Sequence, residues 1–334
     1  MTTTHDRAVG PDEASALTAR KESSADKVFA GLSGAAATAI LVTLAAVATF
    51  LLIEAWPAVT DSAGTLAQRV EWISPERDES LIQIIGFLVF GTVLISAIAL
   101  LIATPLSVGI ALFISHYAPR KLAAGLGYLI DLLAAIPSVV YGLWGAIVLI
   151  PVLQPFYQFL ADVLGWIPLF APGEDGSVSG TGRVAMSAGI VLAIMVLPII
   201  TAVSREVFLQ TPRLHEEAAL AMGATRWEMI RMAVFPFGRS GVIGATMLGL
   251  GRALGETMAV YMILSPGLSY SFDLLQSGQH NTIASFIALQ FPEANSSGVS
   301  ALIAMGLALF IITLLVNMLA RWVVSRRAEF SGAN

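Results

Sequence analysis

Of the chain's 334 residues, 56% are hydrophobic and only 12% are charged, with a formal net charge of −5. A soluble domain carries nearer ~25% charged residues, so this composition excludes an ordinary soluble enzyme and points to a bilayer. Cysteine is absent, which rules out disulfides, thiolate chemistry and cysteine metal sites, and the four histidines (His5, His116, His215, His280) show no metal-ligand spacing.

Residues 1–27 form a polar tail ahead of the first apolar run. That run, 28–53, exceeds the ~7–15 residues of a secretory signal core, so it is expected to be a retained helix. A membrane span needs about 20 apolar residues, and six stretches qualify: 28–53, 84–115, 122–153, 183–203, 237–264 and 299–323. The expected fold is therefore an all-α membrane protein with six transmembrane helices. The second and third stretches are long enough to need a tilt or kink, which Pro105 and Pro137 supply. A split of the second stretch near Pro105 is the alternative.

Six spans sort the basic residues unevenly. One side receives Arg7, Arg20, Lys21, Lys27, Arg120, Lys121, Arg205, Arg213, Arg226, Arg231, Arg239, Arg321, Arg326 and Arg327, and the other only Arg69, Arg77 and Arg183. By the positive-inside rule both termini are expected in the cytoplasm of a multi-pass cell-membrane protein. The outer loops are then 54–83, 154–182 and 265–298. In the last, Asn281 is expected to cap a short apolar helix that runs to about Gln290 and stops near Pro292.

The interior loop 204–236 reads as a helix, a stop and a second helix. Pro212 suits a first helical position, Glu216 and Glu217 lie early, Gly223 ends the first helix, and Thr225–Met232 runs up to Pro236. Leu214, Ala218, Ala221 and Met222 give this knob an apolar side that needs a partner.

Arg252 and Glu256 lie one turn apart inside the fifth stretch, where a charge costs roughly 2.5–3.5 kcal/mol and commonly lines a functional path. Their i,i+4 spacing also allows a structural ion pair. The two residues are therefore candidates for a path that handles something charged. Ser138 and Tyr141, just after Pro137, either line a pore or pack helices. Asp131 reads as an interfacial carboxylate, and His116 and His215 as solvated interfacial groups. Gly241, Gly244, Gly251 and Gly255 read as helix contacts. The three lysines follow Arg20, Asp26 and Arg120, so no Gly-Lys of a Walker nucleotide loop is present.

The run Glu217-Ala218-Ala219, with Gly223 next and Pro236 closing the segment, resembles the EAA loop of binding-protein-dependent ABC importer permeases. Ala233 and Phe235 depart from the isoleucine and leucine usual before that proline. Gly251–Val260 and Ala135–Gly142 are similar to the phosphate-uptake (Pst) branch, and Met258-Ala259-Val260 to its PstC-type more than its PstA-type permeases. The resemblance covers roughly 84–325. It implies a type I (MetI-like) permease core and a non-catalytic subunit with no cofactor of its own, ATP being bound by a partner. It further implies a PstA-type companion permease, two PstB-type cytoplasmic ATPases and an extracytoplasmic PstS-type phosphate-binding protein. Within it, Arg252 and Glu256 are expected on the substrate path, with Ser138 and Tyr141 as weaker candidates. Glu217, Ala218, Ala219, Gly223 and Pro236 are expected at the ATPase. A permease for sulfate or molybdate, or an ion-coupled secondary transporter, is the alternative.

Overall fold

The structure, a computed structural model, describes residues 24–60, 70, 80–173 and 176–328. The expected tail 1–27 lies mostly outside the described residues, as do Arg7, Arg20, Lys21, Arg69 and Arg77. Residues 1–53 and 54–334 form two units. The described part of the first is the body of helix α1 (Ser24–Thr60), where apolar side chains such as Phe29 and Leu41 are exposed.

The second unit holds the end of α1 and eleven further described α-helices. Helix α2 (Leu81–Leu112) opens with a capping box in which Ser80 and Gln83 satisfy each other's backbone, and it closes in a π turn, Phe113–Tyr117. It runs unbroken through Pro105, so the second stretch is not split. The third stretch behaves differently. Pro137, extended at ψ 138°, ends an amphipathic helix α3 (Arg120–Ala134) and starts α4 (Ser138–Trp144), which continues through a π turn into α5 (Ile150–Leu164). The span is accordingly 138–164 instead of the expected 122–153. Proline both lacks a donor and disfavours helical backbone before it, and here the two effects divide the helix instead of bending it.

Helix α6 (Ala185–Leu209) is the hub: its apolar window is 61% buried, against 39% or less in the other spans. Ile95, Ala99 and Ala103 of α2 pack on Val191, Leu192, Val196 and Ile200 of α6, and Ser107 of α2 donates to the Leu197 carbonyl at 3.0 Å. Helix α7 (Arg213–Ala221) is the loop helix, followed by α8 (Arg226–Met229). A π turn, Ile230–Val234, joins α8 to α9 (Phe235–Leu254), so the fifth span is helical from Arg226 and Pro236 sits within its first turn instead of closing a loop. Helix α9 lies on α6 through glycines: a Cβ at Gly238, Gly241 or Gly249 would come within 2.5–2.8 Å of Phe208, Val207 or Ile200. Gly244 and Gly251 have nothing within 4 Å, and Gly255 meets only the Gly251 carbonyl, at 3.6 Å. Those three, expected as helix contacts, instead leave one side of the helix open.

Helix α10 (Met258–Ile263) follows, then α11 (Ile283–Gln290) and the last span α12 (Ser296–Ala328). The cap of α11 is Thr282, which accepts from the Ser285 N–H at 3.3 Å, one residue beyond the expected Asn281. The Asn281 backbone is pressed against Gly91 of α2, and its side chain accepts from Thr282 N–H instead. A second core joins the end of α1 to α2, α11 and α12 through Ala55, Ala58, Leu88, Phe286 and Met305.

A broken span and an open coupling knob

The fifth span breaks where the sequence reads as continuous helix. Gly255 closes α9, Thr257 adopts φ −108° and ψ −64°, and α10 restarts at Met258. Tertiary packing holds the break. Val260 and Ile263 are buried in the central core, and a Cβ on Gly142 of α4 would come within 2.7 Å of the Ala259 Cα, so α10 is wedged against α4.

Each charge then meets a helix end. Glu256 is 8% exposed, and its Oε1 accepts the Ala259 N–H at 3.1 Å, capping α10. Arg252 lies in the last turn of α9, where a cation suits the free carbonyls. No ion pair joins them within 4 Å, so the i,i+4 pairing that an unbroken helix would allow is not formed. The Arg252 Nε is buried without a hydrogen-bond partner among the described residues. Buried donors are almost always satisfied, which sets this one apart. Gly251 and Gly255 beside it present bare backbone to open space.

Tyr141 is buried and near enough for the Arg252 charge to act on it, but its hydroxyl donates to the Leu133 carbonyl at 2.9 Å, tying α4 to α3 across Pro137. Ser138 is half-buried in the first turn of α4. Asp131 is exposed on α3, outside the spans.

The second constellation is α7 and its turn. Ala219 is buried at 5% against Phe208, Met229, Ile230 and Val234, so only a small side chain lets α7 lie this close. Glu217 and Ala218 face out, and Leu214 (78% exposed) and Met222 (80%) present the uncovered apolar side. Gly223 adopts φ +87°, a conformation glycine accepts without strain, and Thr225 then starts α8 with a Glu228 capping box. His116 is less solvated than its sequence context implied. Its side chain is 8% exposed, 3.5 Å from Glu216, which links the end of the second span to α7. His215 is exposed. Arg205, over Gly127 of α3, pairs with Glu206 at 2.7 Å. Sequence reasoning missed the π turns and the His116–Glu216 contact. It also left the Thr225-x-x-Glu228 capping signature unused.

Comparison with known proteins follows the same line. Residues 103–329 match the family model described as binding-protein-dependent transport system inner membrane component. A Mycobacterium tuberculosis protein named phosphate transport system permease protein PstC 2 is 45% identical over 300 residues, 89% of this chain and 90% of the relative. A Xylella fastidiosa phosphate transport system permease protein PstC is 41% identical over 313 residues, 93% and 94%. A chain of the inward-facing MetNI methionine ABC transporter aligns over 74% of this chain and 95% of its own, at 15% identity and a TM-score of 0.49.

Proposed function

The chain belongs to the family of binding-protein-dependent transport system inner membrane components, and from that premise we propose that it is a permease subunit of an ATP-driven importer of inorganic phosphate. Its relatives at 45% and 41% identity carry that substrate in their names. The observation that carries the reading is the Arg252 Nε, buried and unpartnered beside an open glycine face. Since Glu256 is engaged with α10, Arg252 is left for a passing anion. A guanidinium fork gives phosphate a charge-assisted contact. The contact must stay weak, because a tight site inside the membrane would prevent release.

Work comes from elsewhere. With no Walker lysine in the chain, ATP is hydrolysed by a partner, and the exposed Leu214–Met222 side of α7 is where that partner docks. The cast is a PstA-type companion permease, two PstB-type ATPases and a PstS-type binding protein on the far side. The excess of basic residues around α7 supports a cytoplasmic location for that loop and both termini. Motion of α7 passes through Ala219 and the His116–Glu216 contact to α2 and α6. The breaks at Pro137 and Gly255–Thr257 give the spans places to bend.

The test is radiolabelled phosphate uptake in a strain lacking its own high-affinity importer and supplied with the whole gene set. Arg252→Gln is expected to abolish uptake while the subunits still co-purify. Normal uptake in that variant, or uptake of sulfate or molybdate instead of phosphate by the wild type, refutes the reading.

A further inference from the structure

We infer that Arg183 is a second anion-holding residue on the path, an outer station that receives phosphate before Arg252 does; this rests on the phosphate-permease reading above. Arg183 stands just before α6, at the end of that helix opposite the coupling loop. Its backbone is tightly fixed. Gly182 turns at φ +62° and its carbonyl accepts from Ser187 Oγ at 2.7 Å, while Arg183 N–H donates to Thr181 Oγ1 at 3.3 Å and its carbonyl accepts from Ser265 N–H at 3.1 Å.

The side chain, by contrast, is barely used. One nitrogen, Nη2, reaches the carbonyls of Tyr261 and Leu264, both at 3.4 Å, beyond the usual 2.7–3.2 Å. Nε and Nη1 make no hydrogen bond, and no carboxylate lies within 4 Å, among the described residues. The residue is exposed. Within 165–184 and 264–295 it is the sole lysine or arginine; Arg69 and Arg77, the other two basic residues sorted to this side, lie outside the described residues.

Its place relative to Arg252 makes the connection. The carbonyls it reaches are at the far end of α10, the six-residue helix whose near end is capped by Glu256. Six residues span about 9 Å, so one short helix separates the carbonyls that Arg183 reaches from the end that Glu256 caps. Between them Met258 and Tyr261, each 41% exposed, leave that side of α10 open. Two weak sites in succession give an anion somewhere to go when it leaves the first, and an exposed cation at the mouth concentrates it there.

The test is phosphate moved per ATP hydrolysed by the assembled transporter in proteoliposomes, with saturating binding protein. In Arg183→Gln, whose amide still donates to the α10 carbonyls, this ratio is expected to fall about tenfold, and Arg183→Lys to restore most of it. Stimulation of ATPase by the binding protein should stay intact in both. Three results overturn the inference: an unchanged ratio in Arg183→Gln, equal loss in the glutamine and lysine variants, or loss of ATPase stimulation in step with transport. Wild-type vesicles separate this inference from its premise. If they move no phosphate, the permease reading itself has failed; if they do and Arg183→Gln matches them, the inference alone has.

Discussion

Changing Glu256 tests whether the two intramembrane charges hold each other or hold helix ends. Glu256→Gln keeps an oxygen able to accept the Ala259 N–H and removes only the charge; Glu256→Ala removes the acceptor as well. Losing an N-terminal cap costs about 1 kcal/mol, so the alanine variant should be destabilised by about that amount and the glutamine variant by less than ~0.5 kcal/mol. A buried ion pair behaves differently, since removing one partner strands the other and costs ~3–5 kcal/mol. The assay is fluorescence-monitored thermal unfolding of the purified complex, where ~2 °C corresponds to about 1 kcal/mol at this chain length. Combining Glu256→Gln with Arg252→Gln closes a double-mutant cycle, and groups that do not touch should couple by less than ~0.5 kcal/mol. A loss above ~3 kcal/mol in Glu256→Gln, or a coupling of comparable size, would show that the charges pair and that the open Arg252 is not kept for a substrate.

Other changes probe the knob and the far loops. Gly223→Val places a branched side chain at φ +87°, which costs about 1–2 kcal/mol; ATPase stimulation and transport should fall together, and unchanged coupling would argue against α7 as the transmitter. His280, 2% exposed, donates through Nε2 to the Ser271 carbonyl at 2.7 Å while Nδ1 has no partner among the described residues. Burial pushes its pKa below the ordinary value, against smaller opposing effects of the Ser271 bond and the Asp273 charge. The folded state therefore binds its proton less readily than the unfolded state, so its stability contribution is complete above pH ~6.5 and is lost as pH falls through the lowered pKa. Thermal unfolding between pH 5 and 7.5 should show that loss, and His280→Gln should flatten it; an unaltered slope would assign the acid sensitivity elsewhere.

Much of this was legible in the chain. Six apolar runs have few alternatives in a bilayer, because every backbone polar group there must be satisfied within a helix. The loop helix was legible too, since the run ending at Gly223 reads as a helix and its stop, and a glycine there anticipates the positive φ found. Where the reading went astray, long-range contact was responsible. Asn281 and Thr282 are both good caps by type, and the press of the Asn281 backbone on Gly91 chose the second.

Sequence alone settled the number of spans and the presence of two charged residues at one point in the fifth apolar stretch, because hydropathy and charge are properties of single residues summed along the chain. Only tertiary structure decided that this span breaks between them. Leu254-Gly-Glu-Thr-Met258 holds no proline and would continue as helix; the fit of Ala259 against Gly142, with Val260 and Ile263 in the core, turns it aside. That break separates Glu256 from Arg252 and leaves one guanidinium nitrogen without a partner.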